Sequence, residues 1–182
     1  MPQHNTPLVC RRAPIIWLYG LSGAGKSTLA NRLVSDLRDQ GCLVTALDGD
    51  ALRTGLNQGL GFTPADRTEN LRRAAEAAKL IADAGVTVVC SFITPLNEHR
   101  RMIRDITGYP LVDVYVDCPL EVCATRDVKG LYKSPPPNFT GIDSAFETPD
   151  SRPTLTVSTA TQSVEYCAAQ LLAYANFFGR RE

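Results

Sequence analysis

Residues 15–28 read IIWLYGLSGAGKST, an apolar run followed by a glycine-rich turn and the start of an amphipathic helix. The turn fits the pattern G-x-x-x-x-G-K-[ST], beginning at Gly20 and ending at Gly25, Lys26 and Ser27. Such a turn binds phosphate, because its backbone N–H groups point inward around a β-phosphate while the lysine bridges the β- and γ-phosphates. The stretch therefore predicts a buried strand, a phosphate-binding loop and a helix whose positive N-terminus faces the phosphates. The alternative is a tight glycine turn that binds no ligand.

Apolar strand-like runs alternate with helical patterns along the rest of the chain, which is typical of repeated β-α units. Runs such as VTVVCSF and LVDVYVD are continuous, as expected for strands with helices on both faces. We predict an α/β fold of the P-loop NTPase type, with a doubly wound and mainly parallel sheet that binds ligands at the carboxyl ends of its strands. The predicted strands are 15–20, 43–48, 86–92, 111–117 and 154–158, and the predicted helices are 26–40, 50–57, 67–84, 96–107, 119–127 and 161–177.

The length and composition indicate a single domain over residues 1–182, with residues 1–13 as a flexible N-terminal segment. Hydrophobic residues make up 44% and charged residues 21%, which is ordinary for a globular protein. Basic and acidic residues balance at 19 each, so no global field would attract nucleic acid or an anionic membrane. No signal-peptide core and no membrane-spanning apolar run is present in the sequence. We expect a cytoplasmic protein.

The cysteines are scattered without C-x-x-C pairs, so the sequence gives no indication of a zinc site. Four of them lie in or beside apolar runs, which favours buried, reduced thiols, while Cys10 and Cys42 lie nearer predicted loops. A regulatory disulfide is the minor alternative. The six are Cys10, Cys42, Cys90, Cys118, Cys123 and Cys167.

Two carboxylates, Asp48 and Asp50, follow the second predicted strand, where they would lie beside the phosphate-binding loop. Such groups can coordinate Mg²⁺ or accept the proton of an attacking hydroxyl. Because Gly49 lets the backbone turn, we favour Asp50 as the residue that faces the cleft. The alternative is that both residues only cap the following helix.

The stretch LGFTPADRTENLRR brings an aromatic residue, arginines and an asparagine to the start of a helix. Arg67 suits a phosphate or sulfate, Asn70 suits a base or ribose edge, and Phe62 can stack on a purine. The pattern indicates a binding site for an anionic, nucleoside-like acceptor. A solvated helix start capped by Asp66 is the alternative.

Residues 128–153 interrupt the β-α pattern and show no periodicity, which is typical of a lid or a binding loop. Together with this segment, the stretches GLSGAGKST, DGDALRTGLNQGLGF, DRTENLRR, SFITP, RDVKGLYK and NFTGIDSAFE occur in an order that resembles the adenylylsulfate kinase (APS kinase) family. The resemblance covers nearly the whole chain. It implies transfer of the γ-phosphoryl group of ATP, with Mg²⁺, to the 3′-hydroxyl of adenosine 5′-phosphosulfate (APS), and it suggests a homodimer.

The resemblance also implies roles for individual residues. Lys26 contacts the transferred phosphoryl group, Ser27 and Asp50 are associated with the metal, and Asp50 is catalytic. The ATP-binding residues implied are Gly20, Leu21, Ser22, Gly23, Ala24, Gly25, Lys26, Ser27, Thr28 and Arg126, with the arginine packed on the adenine. The APS-binding residues implied are Asp50, Arg53, Phe62, Arg67, Asn70, Ile93, Lys129 and Phe139.

The chain departs from the family pattern at two places. Thr94 stands where the family usually has a serine that has been described as a phosphorylated intermediate; since in-line transfer needs no covalent relay, we interpret Thr94 as a cleft hydroxyl. Its alternative role is only to end a strand in an extended conformation before Pro95. The lid segment 134–138, SPPPN, replaces a longer basic insert. We therefore predict a smaller entropy loss on closing and weaker capture of the charged acceptor.

Two other functions remain open at this point. A kinase for a sugar acid would share the phosphate-binding loop, but would have no use for both Phe62 and Phe139. A non-catalytic nucleotide-binding subunit would retain ATP binding without turnover, although intact Lys26, Ser27 and Asp50 argue against it.

Overall fold

The computed structural model describes residues 12–108 and 110–179; residues 1–11 of the predicted N-terminal segment, including Cys10, lie outside the described residues. Five strands form one sheet in the order β2-β3-β1-β4-β5, and every pairing between neighbours is parallel. The strand β1 lies at the centre with all five residues buried, as its continuous apolar run predicts. The strands are β1 Ile15–Tyr19, β2 Val44–Asp48, β3 Thr87–Phe92, β4 Leu111–Asp117 and β5 Leu155–Ser158.

Helices follow the strands and cover the sheet. The helices are α1 Lys26–Asp39, α2 Gly49–Arg53, α3 Pro64–Asp83, α4 Asn97–Thr107, α5 Leu120–Arg126 and α6 Val164–Gly179. One core cluster joins Leu33 of α1 and Leu171 of α6 to Val114 of the sheet, and a second joins Ala78 of α3 to Trp17. The sheet therefore has a hydrophobic core on each face, which confirms the predicted doubly wound α/β fold.

Three helix boundaries differ from prediction by three residues or more. Helix α6 begins at Val164 instead of residue 161, and the other two differences have local reasons. Helix α2 ends at Arg53 instead of residue 57, because residues 54–59 fold as successive turns. Helix α3 begins at Pro64 instead of residue 67, because the Thr63 hydroxyl caps it by accepting a hydrogen bond from the Asp66 N–H at 3.2 Å. Proline is well suited to the first helical position, since its missing N–H would have no partner there.

The strand β4 is less buried than predicted, because we expected helices to cover both of its faces. Val112, Val114 and Val116 are buried, whereas the residues between them are only half-buried. One of these, Asp113, accepts hydrogen bonds from the backbone N–H of Thr154 at 2.9 Å and from its hydroxyl at 2.6 Å. The outer face of β4 thus anchors the segment that leads into β5.

The register of the sheet decides where the loops meet. Tyr19 at the end of β1 pairs with Phe92 at the end of β3, and Asp48 at the end of β2 pairs with Ser91. The segments that follow these three strands therefore emerge side by side at one edge of the sheet. No helix in residues 12–108 and 110–179 has the length and apolar character needed to cross a membrane.

Candidate active site

The phosphate-binding loop connects β1 to α1 and is held in close contact with the sheet. The Gly20 N–H donates to the Ile93 carbonyl at 3.2 Å, which ties the start of the loop to the end of β3. A Cβ added to Gly20 would lie 2.4 Å from the Val116 carbonyl oxygen, and one added to Gly23 would lie 2.9 Å from that of Cys123. Both glycines are required because the backbone passes too close to its neighbours for any side chain.

Lys26 lies at the first position of α1 and is buried. Its Nζ donates to the Leu21 carbonyl at 2.6 Å, so the ammonium group closes the loop on itself. Burial, reinforced by the nearby charge of Lys129, lowers the pKa of Lys26 to about 8. A polyphosphate beside this ammonium group would reverse that shift, because an opposite charge favours the protonated form.

Asp48 is the N-cap of α2 and also a junction between three segments. Its Oδ1 accepts from the Asp50 N–H at 3.0 Å, and its Oδ2 accepts from the hydroxyls of Ser27 at 3.0 Å and Ser91 at 2.7 Å. Burial acts to raise the pKa of Asp48, but these hydrogen bonds outweigh it and hold the pKa below its usual value. Asp48 therefore caps α2, and the same carboxylate also orients the loop serine, so it does more than cap the helix.

Asp50 has a different environment from Asp48. It lies in the first turn of α2 with its side chain largely exposed to the cavity and forms an ion pair with Lys129. Lys129 belongs to the 128–153 segment, so this pair joins the end of β2 to the predicted lid. The structure brings Asp50 to within the same cavity as the phosphate-binding loop.

Arg53 and Arg67 approach Phe62 from two elements. The Arg53 guanidinium lies 4.4 Å from the centroid of the Phe62 ring and that of Arg67 lies 5.9 Å from it. Phe62 is 53% exposed, so a large apolar ring remains available in the cavity. Arg53 also donates to the Gly61 carbonyl at 2.8 Å, which holds the loop that carries Phe62.

Arg67 has a second contact that the sequence did not predict. Its Nη1 donates to the Thr140 hydroxyl at 2.7 Å and its Nη2 donates to the Asn138 carbonyl. Both partners belong to the 128–153 segment, so Arg67 fastens the short lid to α3. An anion that binds Arg67 would compete with these lid contacts.

Asn70 lies one turn further along α3 and is buried. Its side-chain oxygen accepts a hydrogen bond from Asn57 Nδ2 at 3.0 Å. This contact fixes the orientation of the Asn70 amide, which lines the cavity. It also explains why residues 54–59 leave the helical path, since Asn57 reaches inward to α3.

Thr94 does not have the extended conformation that the alternative interpretation required: its φ is +47°, in the left-handed region. This conformation is unfavourable for a β-branched residue, and especially before a proline. It persists because the Thr94 hydroxyl accepts from Trp17 Nε1 at 3.0 Å and the Thr94 carbonyl accepts from Arg100 Nε at 3.3 Å. The strained turn places Ile93 and Thr94 on the cavity wall.

Arg100 is the buried side chain that organises this turn. Its Nη2 donates to the carbonyls of Pro95 at 3.1 Å and Glu147 at 2.7 Å, and its guanidinium lies 4.7 Å from the Tyr19 ring centroid. Among the ion pairs of residues 12–108 and 110–179, none involves Arg100. Burying a guanidinium against carbonyls and rings is costly, which indicates that its task is to hold the turn.

The 128–153 segment packs over the cavity through aromatic residues. Tyr132 donates from its hydroxyl to the Ser22 carbonyl at 2.8 Å and meets Phe139 edge to face, with ring centroids 5.0 Å apart. Phe139 is buried, whereas Pro136 and Pro137 line the cavity from the exposed part of the segment. The lid therefore contacts the phosphate-binding loop and α3 at the same time.

These elements enclose a cavity of about 330 Å³. We call the part formed by residues 20–28 the loop end, and the part around Phe62, Arg67 and Phe139 the aromatic end. The predicted residues that line the cavity are Ser22, Gly23, Gly25, Lys26, Ser27, Thr28, Asp50, Arg53, Phe62, Arg67, Asn70, Ile93, Thr94, Lys129 and Phe139.

Four predicted residues do not line this cavity. Gly20 and Ala24 are buried and Leu21 is half-buried, where they shape the loop from behind. Arg126, at the end of α5, lies beside the loop, with its Nη1 3.5 Å from the Gly23 carbonyl oxygen. Any base that it packs against would therefore extend out of the enclosed part of the site.

Sequence reasoning also missed residues that shape the site. Tyr132 lies inside the quoted KGLYK stretch and Ser91 lies at the end of a predicted strand, so a signal for both was present. Asn57 also lies inside a quoted stretch, DGDALRTGLNQGLGF. Thr159 carries no signal in the sequence, because its role depends on contacts with distant segments.

Comparison with known proteins agrees with this geometry. The family described as adenylylsulphate kinase matches residues 12–158. The adenylyl-sulfate kinase of Clostridium acetobutylicum is 46% identical over 176 residues, covering 94% of this chain and 88% of the relative. The adenylyl-sulfate kinase of Paraburkholderia xenovorans is 47% identical over 173 residues, covering 93% of this chain and 96% of the relative. The structure of Mycobacterium tuberculosis APS kinase in complex with AMPPNP and APS superposes with a TM-score of 0.87 at 39% identity, covering 91% of this chain and 99% of the other. The chain belongs to the adenylylsulphate kinase family.

Proposed function

We propose that this protein transfers the γ-phosphoryl group of ATP to the 3′-hydroxyl of APS, forming 3′-phosphoadenylyl sulfate and ADP. The observation that carries the proposal is a single cavity with the phosphate-binding loop at one end and Phe62 and Phe139 at the other. Asp50 lines the same cavity. A nucleoside acceptor at the aromatic end would therefore present its hydroxyl to the Asp50 carboxylate and to a phosphate at the loop end.

At the loop end, the backbone N–H groups of residues 20–28 and the Lys26 ammonium would bind the ATP phosphates. Lys26 would neutralise the negative charge that develops on the transferred phosphoryl group. Arg126 would pack on the adenine face through a cation–π contact.

The site also fits Mg²⁺ on the chemistry of its oxygen atoms. Ser27 offers a hydroxyl and Asp50 a carboxylate, and Mg²⁺ is bound in such sites by one or two protein oxygens together with substrate phosphates and water. The metal supplies charge neutralisation on the phosphates. Asp48 holds the Ser27 hydroxyl in place for this role.

At the aromatic end, Phe62 and Phe139 would hold the adenine of APS, with Asn70 and Ile93 beside them. Arg53, Arg67 and Lys129 would neutralise the phosphosulfate. Lys129 would then exchange its contact with Asp50, and Arg67 its contacts with the Asn138 carbonyl and the Thr140 hydroxyl, for contacts with the ligand.

In the reaction the 3′-oxygen forms a bond to the γ-phosphorus while the bond to the β,γ-bridging oxygen breaks, leaving ADP. Asp50 would take the proton of the 3′-hydroxyl. Thr94 would not form a covalent intermediate, because direct transfer balances without one. We propose that its hydroxyl, held by the Trp17 indole, helps to shape the acceptor pocket.

The chain would act in the cytoplasm, where ATP is available and where the five cysteines of the described residues would stay as the free thiols seen here. The family resemblance also leads us to propose a homodimer. Light scattering on the purified protein tests that assembly.

The function is tested by measuring ADP release with Mg²⁺ and ATP in the presence of APS, AMP, gluconate or no acceptor, with the product identified by mass. We expect a 3′-phosphorylated product from APS alone. Turnover with gluconate would identify a sugar-acid kinase, and ATP binding without turnover would identify a nucleotide-binding subunit; either result contradicts the proposal.

A further inference from the structure

Thr159, the first residue after β5, connects the phosphate-binding loop to Arg126. Its hydroxyl donates to the Ala24 carbonyl at 2.8 Å and accepts from Arg126 Nη1 at 3.2 Å. Its backbone carbonyl accepts from Arg126 Nη2 at 2.6 Å. Both hydrogen-bonding functions of the hydroxyl are therefore used, one on the loop and one on the arginine.

Thr159 is itself held in place from the sheet and from the loop. Its N–H donates to the Asp117 carbonyl at 3.1 Å, at the end of β4. Its methyl carbon would lie 3.6 Å from a Cβ on Gly25, an ordinary van der Waals distance. The side chain thus has a defined rotamer before any ligand arrives, as β-branched residues tend to have.

Arg126, by contrast, depends on Thr159 for its orientation. It is exposed, and the ion pairs of the described residues do not include it. Its contact with the Gly23 carbonyl is long at 3.5 Å, and its contact with Cys118 Sγ, also at 3.5 Å, is to a weak acceptor. A long arginine side chain with so few restraints would otherwise sample many rotamers.

We propose that Thr159 is a positioning residue for the nucleotide base, holding the Arg126 guanidinium in the orientation that packs on adenine. This inference rests on the proposed function, which assigns the ATP adenine to Arg126. It goes further in naming the side chain that sets the affinity for the base, separately from the affinity for the phosphates.

The test uses two substitutions of Thr159 and two ligands. Thr159→Val keeps the shape of the side chain but removes the hydroxyl, whereas Thr159→Ser keeps the hydroxyl. ATP carries the base, and inorganic tripolyphosphate carries only the phosphates. Titration calorimetry with Mg²⁺ gives the affinity of each ligand without requiring turnover.

We expect Thr159→Val to weaken ATP binding about tenfold, as for the loss of one charge-assisted hydrogen bond. Thr159→Ser should restore ATP binding to within about twofold of the parent, on the same hydrogen-bond argument. Tripolyphosphate affinity should be unchanged in both variants. In an Arg126→Met background, Thr159→Val should cause no further loss of ATP affinity. The guanidinium that the Thr159 hydroxyl orients is then already absent, so the two effects are not additive.

Unchanged ATP affinity in Thr159→Val would overturn the inference. So would an equal loss for tripolyphosphate, because the hydroxyl would then act only on the loop through Ala24. Thermal unfolding of both variants shows whether they are folded. If the protein fails to phosphorylate APS but binds ATP with the predicted pattern, the proposed function fails and the role of Thr159 stands.

Discussion

The loop end and the aromatic end of the cavity are built in different ways. The loop end comes from one continuous segment, residues 20–28, whose backbone is held by the sheet and whose single charged side chain, Lys26, is buried. The aromatic end comes from α2, α3, the loop between them that carries Phe62, the turn after β3 and the 128–153 segment, and it is made of side chains.

The difference lies in what a ligand must displace. At the loop end the ATP phosphates would bind to backbone N–H groups, and they would compete with the hydrogen bond from Lys26 Nζ to the Leu21 carbonyl. At the aromatic end Lys129 is paired with Asp50, and Arg67 is bonded to the Asn138 carbonyl and the Thr140 hydroxyl. Acceptor binding there must exchange existing contacts for new ones, so its net free energy is smaller than its contacts suggest.

The largest effect should come from Asp50, which lies between the two ends. Asp50→Asn keeps the size of the side chain but removes its capacity to accept a proton, so kcat should fall by roughly 10² to 10⁴. ATP affinity should change little, because the loop end is intact. Steady-state kinetics and calorimetry measure the two quantities.

The matched control for this variant is Asp36→Asn in α1, where the half-buried carboxylate pairs with Arg32. That change should leave kcat unaltered. Near-normal turnover in Asp50→Asn would remove this residue from the chemistry.

Arg100 tests whether the aromatic end depends on the strained turn at Thr94. Lysine cannot reach the three carbonyls that the guanidinium bonds, so Arg100→Lys should raise the KM for APS by about tenfold or more. The KM for ATP should stay the same.

Arg101→Lys is the neighbouring control, since Arg101 is exposed and pairs with Asp150 at 2.5 Å. It should have almost no effect on either KM. An equal rise in both values for Arg100→Lys would mean that the arginine supports the whole fold and not the acceptor wall.

The loop end should respond to pH through Lys26. Because burial first, and Lys129 second, lower the pKa of Lys26 to about 8, the free protein loses this charge as the pH rises through 8. ATP binding requires the charged form, so its affinity should fall by about tenfold between pH 7 and pH 9. Calorimetry in buffers of different ionisation enthalpy also detects the proton that binding takes up above pH 8. Constant affinity up to pH 9 would contradict the assignment.

The smallest effect should come from the lid. Replacing Pro136 and Pro137 with alanine makes the open segment more flexible, so closing it loses more entropy and the KM for APS should rise about threefold. The affinity for ATP measures the loop end and should be unchanged. Comparison with a relative that has a long basic lid tests the predicted weaker capture, and an equal KM for APS in the two proteins would rule it out.

Sequence reasoning worked best where structure is local. The run IIWLY is apolar throughout because β1 is buried on both faces. The loop motif can be recognised within eight consecutive residues, although its glycines Gly20 and Gly23 are required by close approach to the distant Val116 and Cys123 carbonyls. Helix boundaries are predicted less well, because a single residue can move them. Helix α3 starts at Pro64, earlier than predicted, because the Thr63 hydroxyl caps it. Asp50 could be singled out because the carboxyl ends of parallel strands meet at one edge.

The sequence by itself thus determined the α/β fold, the phosphate-binding loop and many of the residues that line the cavity. Only the tertiary structure decided how those residues are used: Thr94 in a left-handed turn, Arg67 fastened to the lid, and Arg126 held by Thr159. The physical reason is the range of the interactions. The strand run and the loop motif are patterns of consecutive residues, so the sequence shows them directly. The contacts of Arg67 and Arg126 join segments at least 33 positions apart along the chain, and the conformation of Thr94 depends on such a contact with Trp17.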